Sequence, residues 1–309
     1  MTKIDKIINI LNELIKYEYL KENGQFKIRP LQKIINEYKK NSKITLDELS
    51  NIKGIGKSSI EKVKEIIETG KLKYLDELKE EYKNIIKLTK VKGIGIKLAY
   101  KLYNEHNIKT IKDLKKNSNL LSKGIIINLK YYNDSLKKIP RSEIKLLDNH
   151  IKNNISNDIK YKIVGSYRRE KDYSNDIDIL IYSKDKLIDK FLKIIEKPNK
   201  IKPKIKDTLF KGTSKFKGYI KINNNLPVRS LDILYISDIK SWPFSLLYFT
   251  GSKEFNQRMR SYALNKGYRL NEYGLFNSKT NKLVNKTFKN EKDIFDYLKL
   301  KYLEPSQRN

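Results

Sequence analysis

The stretch "IVGSYRREKDYSNDIDILIYS" (residues 163–183) places two acids, Asp176 and Asp178, at the start of an apolar run. Side chains alternate between the two faces of a β-strand, so these acids share one face. A third acid, Asp232, opens another apolar run, "LDILYI". If the two strands are neighbours, three carboxylates converge, and cations must relieve their mutual repulsion. The pattern therefore predicts two Mg²⁺ ions and in-line phosphoryl transfer.

The residues before the acids support this interpretation. Gly165 and Ser166 predict a turn whose backbone N–H and hydroxyl groups hold a phosphate oxygen. One of the two arginines that follow, Arg168 or Arg169, would clamp a triphosphate through paired hydrogen bonds. An isolated Asp-x-Asp is commonly no more than a solvated strand end. The turn, the arginines and the third acid together are typical of nucleotidyltransferases.

Composition restricts the classes of function. The chain of 309 residues has 67 Lys and Arg against 36 Asp and Glu, a formal net charge of +31. This excess favours a polyanionic partner, nucleic acid before membrane, although AT-rich coding also enriches lysine. Cysteine is absent and only His106 and His150 are present. Any metal must therefore be held by carboxylates and carbonyls, which suits Mg²⁺. Without a signal peptide or a membrane-spanning apolar run, we expect a soluble, intracellular protein.

A second pattern is a repeated "KGIG" turn, at residues 53–56 and 92–95, each followed by a helical run. Glycines permit a tight turn, and the next helix directs its free N–H groups outward. Such a turn grips a DNA phosphate without reading sequence, and its carbonyls can hold a monovalent cation. One copy would be an ordinary helix connection, but two copies in so basic a chain favour DNA binding. The residues predicted to bind DNA here are Gly54, Gly56, Lys57, Gly93, Gly95 and Lys97.

Lys62 follows the first glycine turn on the same predicted helix. A lysine crowded by other cations loses its proton more readily and forms a Schiff base with an aldehyde. On spacing alone, a phosphate contact or a solvated lysine is the simpler interpretation.

Several longer segments resemble the family X DNA polymerases of the polymerase beta type. The glycine turns resemble their helix-hairpin-helix motifs, and "GSYRR…DIDILI" resembles their first catalytic motif. "LDI" at residues 231–233 resembles the segment with the third carboxylate. "LLYFTGSKEFNQRMRSYALNKGYRLNEYGL" (residues 246–275) resembles the nucleotide pocket, and "EKDIFDYLKLKYLEP" resembles the C-terminal end.

The resemblance implies a multidomain α+β fold. Residues 1–80 would form a helical, 5′-deoxyribose phosphate lyase-like domain with the first helix-hairpin-helix motif. Residues 81–140 would form a helical DNA-binding subdomain with the second motif. A nucleotidyltransferase palm with a β-sheet would occupy residues 141–241, and a small α/β nucleotide-selection subdomain residues 242–309.

The resemblance also implies roles for individual residues. Asp176 and Asp178 would bridge two Mg²⁺ ions, with Mn²⁺ able to substitute, and Asp232 would bind the catalytic metal. Lys62 matches the Schiff-base lysine. Arg229 and Tyr273 would contact DNA. The implied nucleotide-binding residues are Gly165, Ser166, Arg169, Lys138, Tyr248, Phe249, Gly251, Asn256 and Arg260. The carbonyls implied to hold Na⁺ or K⁺ belong to Ile52, Ile55, Thr89, Val91 and Ile94.

Some positions depart from the family pattern. In the lyase pocket, Ser58 and Tyr74 stand where basic residues are expected. In the palm, Asn175 replaces a glycine that contacts the triphosphate. Ser230 replaces an arginine that steadies the third carboxylate, although Arg229 is adjacent.

The implied activity is template-directed filling of short gaps during base-excision repair, combined with removal of a 5′-deoxyribose phosphate. The partners would be gapped or nicked double-stranded DNA and deoxynucleoside triphosphates, with no membrane, and we expect a monomer. It would act in the nucleus, or at a cytoplasmic replication site if its source is a cytoplasmic virus. Three alternatives remain open: a template-independent nucleotidyltransferase, a polymerase whose lyase domain only binds DNA, and a non-catalytic DNA-binding protein.

Overall fold

The computed structural model describes residues 2–20, 24–77, 80–184 and 188–308. The chain divides into two compact units, residues 1–130 and 131–309. The first unit is helical and the second combines helices with sheets, so a mixed α/β architecture is present, as the sequence predicts. The finer domain boundaries stay predictions. Within the described ranges, no helix combines the length and the apolar character needed to cross a membrane.

The first unit contains nine α-helices within the described ranges. Threonine side chains cap α1, α3 and α8, and each capping box satisfies N–H groups that a helix start leaves open. The helices are α1 Lys3–Glu18, α2 Gly24–Lys40, α3 Leu46–Ser50, α4 Lys57–Thr69, α5 Lys73–Asp76, α6 Glu80–Leu88, α7 Ile96–His106, α8 Ile111–Lys116 and α9 Lys123–Lys130.

Apolar residues at helical spacing give the N-terminal part of this unit its core. Leu11, Leu14, Ile34, Leu49 and Val63 are at most 1% exposed and belong to one cluster. Each such side chain contributes about 1.5–3 kcal/mol of apolar burial. The cluster joins α1 and α2 to α3 and α4, the two helices on either side of the first glycine turn.

The second unit carries the strand patterns. Its helices and strands are α10 Tyr132–Ser135, β1 Ile139–Pro140, α11 Arg141–Lys152, β2 Lys160–Ile163, α12 Gly165–Arg168, β3 Tyr173–Ser174, β4 Ile177–Tyr182, α13 Ile188–Glu196, β5 Lys204–Lys211, β6 Lys215–Lys221, β7 Val228–Ile236, α14 Trp242–Thr250, α15 Lys253–Asn265, β8 Tyr268–Asn271, β9 Gly274–Asn277 and α16 Glu291–Tyr297.

A five-stranded sheet forms the centre of this unit, with the order β2-β4-β7-β6-β5. Strands β4 and β7 pair in parallel, and the other three pairs are antiparallel. Small two-stranded sheets join β1 to β3 and β8 to β9. The two strands that carry the predicted acids are therefore direct neighbours.

The alternation of side chains explains how acids occur on central strands. Ile177, Ile179, Leu231 and Ile233 are fully buried and pack in the main core with α11 and α13. On the opposite face, Leu180 packs in a smaller cluster with Ile236 and Trp242 of α14. The acids occupy this second face, just before the smaller cluster begins.

Candidate active site

Asp178 and Asp232 occupy opposed positions on the parallel strands β4 and β7. Asp176 lies immediately before β4, two positions from Asp178, and so on the same side of the chain. All three acids are half-buried. The structure thus brings together the strands that carry the three predicted carboxylates.

A glycine covers one of these carboxylates. Gly165 begins α12 with φ +60°, a conformation that favours glycine. A Cβ atom at this position would lie 2.5 Å from Asp178 Oδ2. The glycine therefore allows the turn at the start of α12 to approach the acid directly.

The two carboxylate oxygens of the third acid, Asp232, have different surroundings. Lys217 on β6 lies opposite Asp232 and donates a hydrogen bond from Nζ to Asp232 Oδ2 at 3.1 Å. Asp232 Oδ1 is buried without a hydrogen-bond partner among the residues that the structure describes. In the same ranges, no three His, Cys, Asp or Glu side chains are grouped as a ready-made ligand set for one ion. A buried carboxylate oxygen without a partner is, however, the type of ligand that Mg²⁺ accepts.

A cleft of about 530 Å³ lies beside the acids. It contains eight of the nine residues that the resemblance assigns to nucleotide binding, together with Asp176 and Asp178. Thr250 and Gln257 also line the cleft, and both fall within the segment that resembles the nucleotide pocket, although no single motif points to either residue. The lining residues are Gly165, Ser166, Arg169, Asn175, Asp176, Asp178, Tyr248, Phe249, Thr250, Gly251, Lys253, Asn256, Gln257 and Arg260.

The two arginines after the turn have different roles. Arg168 is bound by Glu291 through two hydrogen bonds of 2.9 and 2.6 Å and also donates to Thr250 Oγ1. Arg169 lines the cleft and donates to the carbonyl of Thr250. Its Nε is buried and has no partner within the described part of the chain. Burial lowers the pKa of Arg169, while nearby Glu254 and Asp178 act in the opposite direction. Arg169 is therefore the arginine available to an anion in the cleft.

One wall of the cleft comes from the end of α14 and from α15. The rings of Tyr248 and Phe249 meet edge to face, with centroids 4.9 Å apart. Asn256 donates from Nδ2 to the carbonyl of Tyr248 at 2.7 Å. The guanidinium of Arg260 lies over the Tyr248 ring, 4.7 Å from its centroid, and also contacts Glu272. These contacts fix the aromatic pair against the cleft.

Four predicted residues of the second unit are not part of the cleft lining, namely the metal ligand Asp232 and the residues Lys138, Tyr273 and Arg229. Lys138 is connected to it through Asn175, because Lys138 Nζ donates to Asn175 Oδ1 at 2.8 Å. Tyr273 is 66% exposed and lines a different cavity, next to Trp242. Arg229 requires a correction. It is 4% exposed and forms two hydrogen bonds with Glu143, so its guanidinium is not free to contact DNA.

The first unit has a separate cavity of about 550 Å³ beside Lys62. Lys62 Nζ donates to the carbonyl and to the hydroxyl of Ser58, at 3.0 and 2.6 Å. Glu18 also lines this cavity and accepts a hydrogen bond from the hydroxyl of Tyr74 at 3.3 Å. The two departures from the family pattern, Ser58 and Tyr74, thus contact Lys62 and an acid respectively.

The two glycine turns have the same local structure. Gly54 and Gly93 have φ values of +90° and +92°, and Gly56 and Gly95 are the N-caps of α4 and α7. A side chain from elsewhere supports each turn. Lys33 Nζ donates to the carbonyl of Lys53, and Asn128 Nδ2 donates to the carbonyl of Lys92 at 2.7 Å. Lys57 and Lys97, just after the turns, are exposed.

The carbonyls predicted to hold monovalent cations lie in the same turns. Those of Ile52 and Val91 each accept a backbone hydrogen bond of 3.0 Å, from Ile55 N and Ile94 N respectively. A carbonyl oxygen has two lone pairs, so this bond leaves capacity for a further ligand. The remaining members of the predicted set are Ile55, Thr89 and Ile94.

A glycine turn, a cleft and opposed strand carboxylates agree with the arrangement expected of a nucleotidyltransferase palm. Three family matches agree with this arrangement. Residues 138–238 match the DNA polymerase beta palm, residues 245–309 the DNA polymerase beta thumb, and residues 86–136 the fingers domain of DNA polymerase lambda. The chain belongs to the family X DNA polymerases.

Individual relatives support the same assignment. The chain is similar to DNA polymerase lambda of Arabidopsis thaliana, with 31% identity over 86% of this chain and 54% of the relative. It is 27% identical to the Bacillus subtilis DNA polymerase/3′-5′ exonuclease PolX over 98% of this chain and 54% of that protein. The chain is also 27% identical to DNA polymerase lambda of Rattus norvegicus, over 96% of this chain and 55% of that protein. The chain thus spans about half the length of these relatives.

Proposed function

We propose that the protein is a DNA-directed DNA polymerase that fills short gaps in base-excision repair and carries 5′-deoxyribose phosphate lyase activity. The observation that carries the polymerase proposal is the opposed position of Asp178 and Asp232, with Asp176 at the entrance to the same strand. Asp176 and Asp178 line a cleft of about 530 Å³, and Asp232 lies opposite Asp178 on the neighbouring strand.

The acids would hold two Mg²⁺ ions, with Mn²⁺ as a substitute. Asp176 and Asp178 would be ligands of these ions, and Asp232 would contribute Oδ1, its buried oxygen without a partner in the described structure. When bound, the ions supply charge neutralisation for the attacking and leaving oxygens of an in-line displacement. Asp232 would also help to deprotonate the primer 3′-OH.

The cleft residues would bind the incoming deoxynucleoside triphosphate. The turn at Gly165 and Ser166 would offer N–H and hydroxyl groups to its phosphates, although the Ser166 hydroxyl donates to Ser174 in this structure, and Arg169 would add a charged donor. Tyr248 and Phe249 form the wall beside the sugar and oppose a ribose 2′-OH. Asn256, which holds the Tyr248 carbonyl, fixes the position of that wall.

The first unit would bind the DNA backbone through its two glycine turns. The two glycine turns direct the N–H groups of α4 and α7 toward phosphates, with Na⁺ or K⁺ at the turn carbonyls and exposed lysines beside them. Binding of this kind does not depend on sequence and weakens with added salt.

Lyase chemistry would use Lys62 in the cavity of the first unit. Its amine adds to the C1′ aldehyde of the sugar and water leaves, which forms a Schiff base. Transfer of a C2′ proton to water then breaks the C3′–O bond and releases the DNA 5′-phosphate, and hydrolysis of the Schiff base frees the amine and the unsaturated sugar phosphate. The alternative, a domain that only binds DNA, gains support from the two hydrogen bonds that Lys62 donates to Ser58, because they engage the amine.

The polymerase proposal is tested with a single-nucleotide gap, Mg²⁺ and the four deoxynucleoside triphosphates. We expect the wild-type protein to add one templated nucleotide and Asp232→Ala to add none while it still binds the gap. Asp189→Ala, which removes an acid that is 72% exposed and paired with Lys211, is the control and keeps wild-type synthesis. Synthesis by Asp232→Ala would refute the assignment of the carboxylates.

The same assay separates the remaining alternatives. Equal incorporation without a template strand would indicate a template-independent nucleotidyltransferase. Salt-dependent binding of the gap by the wild-type protein without any incorporation would indicate a DNA-binding protein whose acids no longer act in catalysis.

A further inference from the structure

The ammonium group of Lys217 forms an ion pair with the third carboxylate, Asp232. It lies on β6, directly opposite Asp232 on β7, and its Nζ is 3.1 Å from Asp232 Oδ2. Arg229, which is closer in sequence, is fully engaged by Glu143. The sequence gives no specific signal for Lys217, because it stands among other lysines on the exposed part of the sheet.

The two oxygens of Asp232 are therefore in different situations. Oδ2 is anchored by an ammonium group on the neighbouring strand, whereas Oδ1 is buried and has no hydrogen-bond partner among the described residues. A carboxylate that is anchored at one oxygen has a fixed rotamer, so its other oxygen is held in one direction. The ligand direction at Oδ1 is thus set before any ion arrives.

We propose that Lys217 is the positioning residue for Asp232, which holds the carboxylate so that Oδ1 serves as the ligand of a divalent ion. This inference rests on the proposed function for its role in nucleotide addition. Lys217 would act through its contact with Asp232, so it is a positioning residue rather than a catalytic one. Its side chain is 41% exposed, so its contribution lies in the geometry of Asp232 rather than in packing of the core.

The positive charge of Lys217 and its anchoring of Asp232 have opposite effects on metal binding, so the two effects can be tested against each other. An ammonium group repels a divalent ion, so removal of its charge alone tightens metal binding. Loss of the anchor frees the Asp232 rotamer and weakens metal binding, because Mg²⁺ demands near-ideal ligand geometry. The proposal requires the second effect to be larger.

The test compares Lys217→Met and Lys217→Gln with Lys217→Arg, which keeps a charged donor. Lys215→Met is the matched control, since Lys215 lies two positions away on the same strand and pairs with Leu234. We expect Lys217→Met to lower kcat for nucleotide addition about tenfold in Mg²⁺, with KM for the nucleotide within about twofold of wild type. Lys217→Gln should be intermediate, and Lys217→Arg and Lys215→Met should resemble wild type.

Replacement of Mg²⁺ by Mn²⁺ should restore much of the kcat of Lys217→Met, because Mn²⁺ tolerates less regular ligands. Partial unfolding would lower kcat equally with either ion, so the ratio of the two rates separates positioning from loss of structure. Equal kcat of Lys217→Met and wild type in Mg²⁺ would overturn the proposal.

Mn²⁺ binding, measured without DNA through the electron paramagnetic resonance signal of the free ion, gives a readout that needs no activity. We expect weaker binding by Lys217→Met than by wild type and Lys215→Met, and tighter or unchanged binding would refute the role of Lys217. If the wild-type protein adds no nucleotide but shows this order of Mn²⁺ affinities, the polymerase proposal fails and the positioning role stands. If the wild-type protein polymerises and Lys217→Met matches it in both measurements, only the positioning role fails.

Discussion

Asp178 lies opposite Asp232 in the parallel pairing of β4 and β7, and Gly165 lies directly over the carboxylate of Asp178. The hydrogen-bond register of two buried strands fixes the first relationship. The second depends on the absence of a Cβ at Gly165, since such an atom would lie 2.5 Å from Asp178 Oδ2.

Gly165→Ala should therefore damage nucleotide addition through the position of Asp178. Either the turn or the carboxylate must move, and we expect kcat/KM to fall by about tenfold or more. Gly267→Ala is the matched control, because Gly267 also has a positive φ, +83°, but has open space where a Cβ would lie. Both variants share the backbone strain of about 1–2 kcal/mol. Single-turnover kinetics that show equal activity for the two variants would contradict the steric explanation.

A buried ion cluster should make a large contribution to the stability of the second unit. Glu291 is 4% exposed and accepts hydrogen bonds from Arg168 and from Arg308, which is fully buried. Glu291→Ala leaves the fully buried guanidinium of Arg308 and the half-buried one of Arg168 without their acid, so we expect the free energy of unfolding to fall by about 3–5 kcal/mol. Asp296→Ala, on the same helix, breaks only an exposed pair with Lys292 and should lower it by less than about 1 kcal/mol. Urea denaturation of both variants measures the difference, and equal losses would refute the role of the cluster.

The same cluster predicts a pH dependence of stability. Burial alone would raise the pKa of Glu291, but the hydrogen bonds from Arg168 and Arg308 hold it below its ordinary value of 4.5. A lowered pKa in the folded state gives a stabilisation that is complete above the unfolded pKa and is lost as pH falls through the folded pKa. The stability difference between wild type and Glu291→Ala should therefore be constant near neutral pH and shrink in acid below about pH 4. Urea titrations at several pH values measure this difference. A difference in the free energy of unfolding that stays the same in strong acid would contradict the lowered pKa of Glu291.

Much of the sheet could be predicted from the sequence. The alternation in "DIDILI" and "LDILYI" predicts strands with acids on one face, and β4 and β7 confirm it. Strand β5, Lys204–Lys211, gives no such signal in the sequence. It is an edge strand with mostly exposed side chains, so its sequence lacks the apolar alternation that marks a half-buried strand.

The roles of the basic side chains could not be predicted in the same way. Arg168 and Arg169 are adjacent in sequence, yet Arg168 forms an ion pair with Glu291, whereas Arg169 lines the cleft. The acid that decides between them lies more than a hundred residues away. Likewise, the guanidinium of Arg229 is bound by Glu143. Lys217 contacts Asp232 only because β6 pairs with β7. Local sequence patterns indicate basic residues near the site, but the role of each one depends on a partner that is distant in sequence.

The contact between Lys138 and Asn175 should influence nucleotide affinity. Both residues are exposed at the rim of the cleft, and Lys138 Nζ is held by Asn175 Oδ1. Asn175→Gly frees the ammonium to reach a phosphate, so we expect KM for the nucleotide to fall about two- to fivefold, the range of an exposed charged contact. Lys138→Ala should raise KM by a similar factor.

A double-mutant cycle tests this coupling. In the Lys138→Ala background, Asn175→Gly should have little effect on KM, because no ammonium remains to be released. Lys137→Ala removes an adjacent exposed charge and serves as the control, with KM near that of wild type. Additive effects of the two substitutions would show that Asn175 acts independently of Lys138.

Lys62 should be the residue that forms a covalent bond with a 5′-deoxyribose phosphate. It lines the cavity of the first unit, and reduction of its Schiff base with borohydride would trap the protein on the DNA. We expect trapping to be lost in Lys62→Ala and kept in Lys57→Ala, since Lys57 is exposed at the start of the same helix. Ser58→Ala removes the hydroxyl that accepts from Lys62 Nζ at 2.6 Å and should speed trapping, because the amine is less engaged. Undiminished trapping by Lys62→Ala would assign the chemistry to another lysine, and absence of trapping by the wild-type protein would leave this unit with DNA binding alone.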